Sequence, residues 1–145
     1  MEVYSIGFTK KTAEEFFGLL KGAGIRRLLD VRLNNVSQLA GFAKRKDLPY
    51  FLREICGAEY IHEPLLAPTQ EMLDKFKKRK GSWKEYEHRF RALMANRRIE
   101  EKLERSAFAL PTALLCSEPT ADHCHRRLVL EYLQGKWPDL TIHHL

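Results

Sequence analysis

The segment LLCSEPTADHCHRR, Leu114–Arg127, sets Cys116, Glu118, Asp122, His123, Cys124, His125 and Arg126 directly behind an apolar stretch. A thiol or carboxylate there could serve as nucleophile or general base, and a guanidinium offers a two-pronged donor to phosphate or carboxylate. The candidate catalytic residues are Cys116, Glu118 and Cys124, with Arg32, His125 and Arg126 as anion-binding groups. A phosphatase-type loop does not fit, because the sixth residue after Cys116 is Asp122 rather than Arg. Nor does the spacing match a zinc pattern: CxxC and HxxxH are lacking, and His123, Cys124 and His125 are too close in sequence to converge easily. The expectation is therefore of no metal and no cofactor.

These residues need a scaffold to bring them together. Strand-like runs at 2–8, 26–32, 58–63, 112–118 and 140–145 alternate with helical patterns near 12–24, 47–56, 69–80, 82–105 and 122–135. Thr12-x-x-Glu15 and Ser82-x-x-Glu85 read as helix starts. The spacing of Trp83, Tyr86, Phe90 and Leu93 puts these four on one helical face, read as core. TALLCSE is a continuous apolar strand of the kind buried on both faces of a parallel sheet. The polar stretch 33–46 reads as a loop. The pattern predicts an α/β fold: a three-layer single domain over 1–145, with a mostly parallel sheet of four or five strands flanked by helices. Residues 69–105 form a basic helical insertion between the third and fourth strands.

Ligands of open parallel sheets bind beyond the carboxyl ends of the strands. That rule gathers Ser5, Asp30, Arg32, His62, Cys116 and Glu118 at one edge, with Ser5, Asp30 and His62 in supporting roles. Cys124, His125 and Arg126 fall at the start of the next helix, where unpaired N–H groups favour anions and lower a thiol pKa. Cys124 is accordingly expected to be the more reactive thiol, Cys116 to be raised by partial burial, and Arg126 to be a partly exposed anchor.

The chain has 145 residues, three cysteines and a net charge of +6. Between Lys75 and Arg105 there are twelve Lys/Arg against five Glu, a surplus of +7. Such a patch either attracts polyanions through counterion release or is a solvated helical face. Lys77, Lys78, Arg79 and Lys80 are the candidate nucleic-acid contacts. An odd number of cysteines without a disulfide framework, no secretory leader and no membrane-length apolar run predict a cytoplasmic protein with no membrane partner.

SIGF, LLDVR followed by VSQLAGFAKRKDL, and LLCSE with CHRR, in this order, resemble the uncharacterised family called domain of unknown function 488. The resemblance covers almost the entire chain. It implies that Cys116, Glu118, Cys124, His125 and Arg126, with Asp30, Val31 and Arg32, are the hallmark residues, and it implies no reaction. Phe8 stands where family members often carry His, and LLAPTQ where a Gly-rich turn often follows the third strand. The leading functional reading is an enzyme or ligand-binding domain for an anionic small molecule, nucleotide or nucleic-acid-derived, at the Cys/Glu/Arg edge. The alternative is a nucleic-acid-binding accessory protein that uses the basic 75–105 helices, with the polar cluster structural.

Overall fold

The computed structural model describes residues 1–36 and 40–145; Ser37–Leu39, part of the 33–46 loop and of the VSQLAGF element, lie outside the described residues. Among the described residues five strands form one parallel sheet: β1 (Glu2–Gly7), β2 (Arg27–Asp30), β3 (Glu59–His62), β4 (Thr112–Cys116) and β5 (Thr141–His144), in the order β3-β2-β4-β1-β5. All four pairings are parallel. A strand–helix–strand unit favours parallel neighbours, yet β1 and β2 are not hydrogen-bonded to each other. β4 lies between them, because TALLC is apolar on both faces and buried at every position.

α1 (Ala13–Gly22) starts at the Thr12 capping box, with the Glu15 side chain accepting from the Thr12 N–H, and buries Phe16, Phe17 and Leu20, while Leu19 is exposed. α2 (Leu48–Phe51) runs into a π-helical turn, Leu52–Cys56, that Gly57 ends in the left-handed region. α1 and α2 cover the sheet face bearing Ile6, Leu28, Ala113 and Leu115. The opposite face, bearing Val3, Leu29 and Leu114, is covered by α3 (Gln70–Lys77), α4 (Trp83–Arg97) and α6 (His125–Lys136). These are the three layers read from the sequence.

The single helix expected from Ser82 to about Arg105 divides into α4 and α5 (Ile99–Lys102) at Arg98, whose φ is +53°. The turn lets Ile99 bury completely. A left-handed non-glycine residue carries a penalty that glycine does not, so Arg98→Gly is expected to raise stability by about 1 kcal/mol, read from the midpoint of chemical denaturation. Tyr86 and Phe90 pack in the core as expected, Met94 joins them, and Trp83 and Leu93 are only partly covered. No helix among the described residues is long and apolar enough to cross a membrane.

Candidate functional site

Cys116 is the last residue of β4, Cys124 is the N-cap of α6 and His125 is its first residue. Cys124 has extended backbone (φ −134°, ψ 138°) and His125 is already helical, so the two adjacent side chains approach Cys116 from different directions. Cys116 Sγ lies 3.5 Å from His125 Nδ1. The Cys116, Cys124 and His125 donor atoms all fall within 4.8 Å of one another. Of the three neighbours expected to be too close in sequence to converge easily, Cys124 and His125 do converge on Cys116, whereas His123 stays outside the group and stacks on Trp83. His125 Nε2 sits 2.7 Å from the Val31 carbonyl, which can only accept, so Nε2 carries a proton.

All three groups are buried, and their charge states depend on one another. Burial pushes the Cys116 thiol up, but a hydrogen bond from Cys124 and the charges of His125 and Arg126 outweigh it and hold the thiol well below its ordinary value. Burial and the facing Cys116 sulfur hold Cys124 well above its own. Burial lowers His125, and Cys116 more than restores it, for a net rise. The order expected for the two thiols is thus reversed: the helix end favours Cys124 less than its burial and its anionic neighbour oppose it.

Arg126 is fully buried, not partly exposed. Its Nε donates to Ser5 Oγ (3.2 Å) and its Nη1 to the Glu118 carbonyl (2.9 Å), while Nη2 finds no hydrogen-bond partner among the described residues. Ser5 Oγ, accepting from Arg126, also hydrogen-bonds His144 Nδ1 at 2.5 Å. The Glu118 carbonyl comes so close to the end of β1 that a Cβ on Gly7 would lie 1.6 Å from its oxygen. A side chain there is sterically excluded.

Asp30 and Arg32 form a fully buried pair: Nε and Nη2 of Arg32 donate to the two Asp30 oxygens, both at 2.8 Å. Tyr60 Oη (2.5 Å) and Asn35 Nδ2 (3.3 Å) also donate to Asp30 Oδ2. Burial pushes the Asp30 carboxyl up, and the hydrogen bonds and charge of Arg32 overcome this to leave it below its ordinary value. Arg32 Nη2 also donates to the Ala43 carbonyl, and its guanidinium lies 5.3 Å from the centre of the Phe8 ring. Arg32 Nη1 is buried without a partner among the described residues.

A cleft of about 290 Å³ opens between the carboxyl edge of the sheet and helices α3 and α4. Of the residues singled out in the sequence, Arg32, Cys116, Glu118, Cys124 and His125 line it, and Lys77 and Lys78 join them from α3 and its end. Lys77 pairs with Glu118 at 2.9 Å and Lys78 with Asp74 at 3.3 Å, both exposed contacts. Ser5, Asp30 and Arg126, the last read from the sequence as an anion-binding group, are buried and do not line it. His62 bonds the Arg32 carbonyl through Nε2 (3.1 Å) without lining the cleft, and Arg79 and Lys80 are exposed beside it. Sequence reading missed Trp83 and His123, whose rings stack at 4.9 Å on the cleft wall. Trp83 carried a helical-face signal that pointed to core, and only the adjacency of His123 to Cys124 marked the second.

No curated protein and no solved structure matches the chain. The family model described as Domain of unknown function DUF488 matches residues 12–133, which span β2, β3, β4 and most of α6 and hold Asp30, Arg32 and the whole Cys116–Arg126 segment. On that match, extending over far more than half of its length, the chain belongs to the DUF488 family.

Proposed function

We propose that this protein takes an anionic small molecule bearing a flat ring, of nucleotide type, into the cleft beside Cys116. The observation that carries this reading is one cleft that brings Arg32, Lys77 and Lys78 together with the Trp83–His123 stack, Arg32 keeping one guanidinium nitrogen, the buried Nη1, without a partner among the described residues. Arg32 is neutralised by Asp30, so it contributes directed N–H donation more than net charge. Charge comes from Lys77 and Lys78, whose exposed ion pairs are weak enough for an incoming anion to displace. The cleft volume lies at the lower end of small-molecule sites, which suits a mononucleotide better than a larger cofactor. Glu118, freed from Lys77, would stand within the cleft as an acid or base toward the bound molecule.

Calorimetric titration with inorganic phosphate, ribose 5-phosphate and a nucleoside monophosphate tests the reading. The nucleotide is expected to bind tightest. Trp83→Leu should weaken nucleotide binding about 10-fold by removing the ring that holds His123 flat on the cleft wall, while leaving phosphate binding unchanged. Arg32→Lys should weaken all three. Absence of saturable binding, or a nucleotide affinity indifferent to Trp83, would sink the proposal.

The second reading, a nucleic-acid accessory protein, is favoured by the exposed run Lys77, Lys78, Arg79 and Lys80 at the end of α3. Under it, duplex DNA binding falls log-linearly with salt, and neutralising the four residues flattens the slope by about 0.9 for each phosphate that the protein no longer neutralises. An unchanged slope would mean that DNA is held by another part of the surface.

A further inference from the structure

We infer that Cys116, Cys124 and His125 hold a thiophilic divalent cation of the zinc class, with a fourth coordination position open to the cleft. Zinc bonds sulfur at about 2.3 Å and imidazole nitrogen at about 2.0 Å, so a tetrahedral site separates sulfur from nitrogen by roughly 3.5 Å and two sulfurs by roughly 3.8 Å. The Cys116 Sγ to His125 Nδ1 distance is 3.5 Å. Since no two of the three donor atoms are more than 4.8 Å apart, the remaining sulfur–sulfur edge needs to close by no more than about 1 Å and the remaining sulfur–nitrogen edge by no more than about 1.3 Å.

The imidazole is set for the role. Its Nε2–H donates to the Val31 carbonyl at 2.7 Å, which fixes the ring and turns the Nδ1 lone pair towards the thiols, as the outer hydrogen bonds of metal-binding histidines do. Two thiolates and one imidazole are a donor set that suits zinc and leaves one position for a water or substrate. The three residues all border the cleft, so that position faces solvent-accessible space rather than packed side chains.

Charge points to the fourth ligand. A divalent cation and two thiolates sum to zero, and the fully buried Arg126, which has no acidic partner among the described residues, leaves one positive charge beside them. Hydroxide, or an oxygen of the bound anion, would balance it. The assignment of a substrate oxygen to this position rests on the anion reading above; the cation site does not.

The test uses the intact chain and Zn²⁺ and Co²⁺ as probes. Protein purified without chelator is expected to carry one zinc per chain by elemental analysis and native mass spectrometry. Cobalt in its place should show the visible bands of a tetrahedral thiolate site. Cys116→Ser should weaken zinc binding by more than the 10–100-fold that loss of an outer hydrogen-bond partner typically causes, whereas Cys56→Ser, remote from the cleft, should leave it unchanged. Because a cysteine variant could fail to fold, wild-type protein is also alkylated with and without Zn²⁺: the metal should slow labelling of Cys116 and Cys124 but not of Cys56. Zinc affinity indifferent to Cys116, or labelling of the two clustered thiols unslowed by zinc, overturns the site. A stoichiometric cobalt site whose spectrum ignores phosphate and nucleotide keeps the metal and removes the anion as its fourth ligand.

Discussion

Replacing Asp30 with Ala is expected to lower the stability of the protein by roughly 3–5 kcal/mol, because it leaves the Arg32 guanidinium charged, buried and without its counter-ion. Arg32 is 3% exposed, so water cannot take over the role of the two missing carboxylate oxygens. The change also strands the Tyr60 hydroxyl proton and leaves the Asn35 amide, which converges on the same oxygen, with Tyr60 Oη as its remaining acceptor. Against a typical total stability of about 5–15 kcal/mol, this brings the chain close to unfolding, and urea denaturation at neutral pH reads it directly. The pH dependence has a definite sign. The folded-state pKa of Asp30 is depressed, so its contribution is fully present above the unfolded value of about 3.9 and is lost as the pH falls through the lower folded value. The stability gap between wild type and Asp30→Asn should therefore be constant from neutral pH to about pH 5 and narrow below about pH 4. A gap that stays constant through acid would show that shape, rather than the carboxylate charge, is what Asp30 supplies.

Gly7→Ala should have a comparable effect by a steric route. Its Cβ would sit 1.6 Å from the Glu118 oxygen and 3.1 Å from Arg126 Nη1, and the first contact is with backbone, which has no rotamer to escape into. Either β1 or the Ser117–Glu118 turn must move, and the hydrogen bond from Arg126 to the Glu118 carbonyl goes with it. Overpacking of this kind destabilises by about 3 kcal/mol. Thermal unfolding gives the magnitude, and a changed alkylation pattern at Cys116, one position before the turn, would report the displacement while the variant is still folded. A variant as stable as wild type would mean that the close approach of the two loops is not required by the fold.

The sheet was legible because its strands carry the signal of burial on both faces, most plainly TALLC, and the start of α1 because Thr12 and Glu15 make a reciprocal cap. The rule that parallel sheets bind at their carboxyl edge brought Arg32, Cys116, Glu118, Cys124 and His125 to one place, and these do share a cleft. What could not be read is what depends on side-chain direction and on contacts distant in sequence. Nothing local in Arg126 distinguishes a surface anchor from a buried one; its burial follows from Ser5 and Glu118, which the chain brings in from β1 and from the turn after β4. The reversal between Cys116 and Cys124 has the same origin, since a helix-end argument sees only Cys124 while the outcome depends on His125 and Cys116 together. Strand order was equally out of reach, because the apolar character of β4 says that it is central without saying which strands flank it.

That strand order constrains how the chain emerges during synthesis. β1, β2 and β3 are all made before β4, but β1 reaches β2 only through β4, whose residues Thr112–Leu115 are paired on both sides. Until about residue 116 has left the ribosome, β1 has no partner strand, and β2 and β3 form at most an isolated pair. The nascent chain must therefore hold the unpaired β1 and the apolar faces of α1 out of aggregation while the basic 69–105 segment is translated. Those twelve Lys and Arg residues, arriving just before the strand that closes the sheet, supply charge repulsion between neighbouring incomplete chains at the stage when the exposed edges are most adhesive.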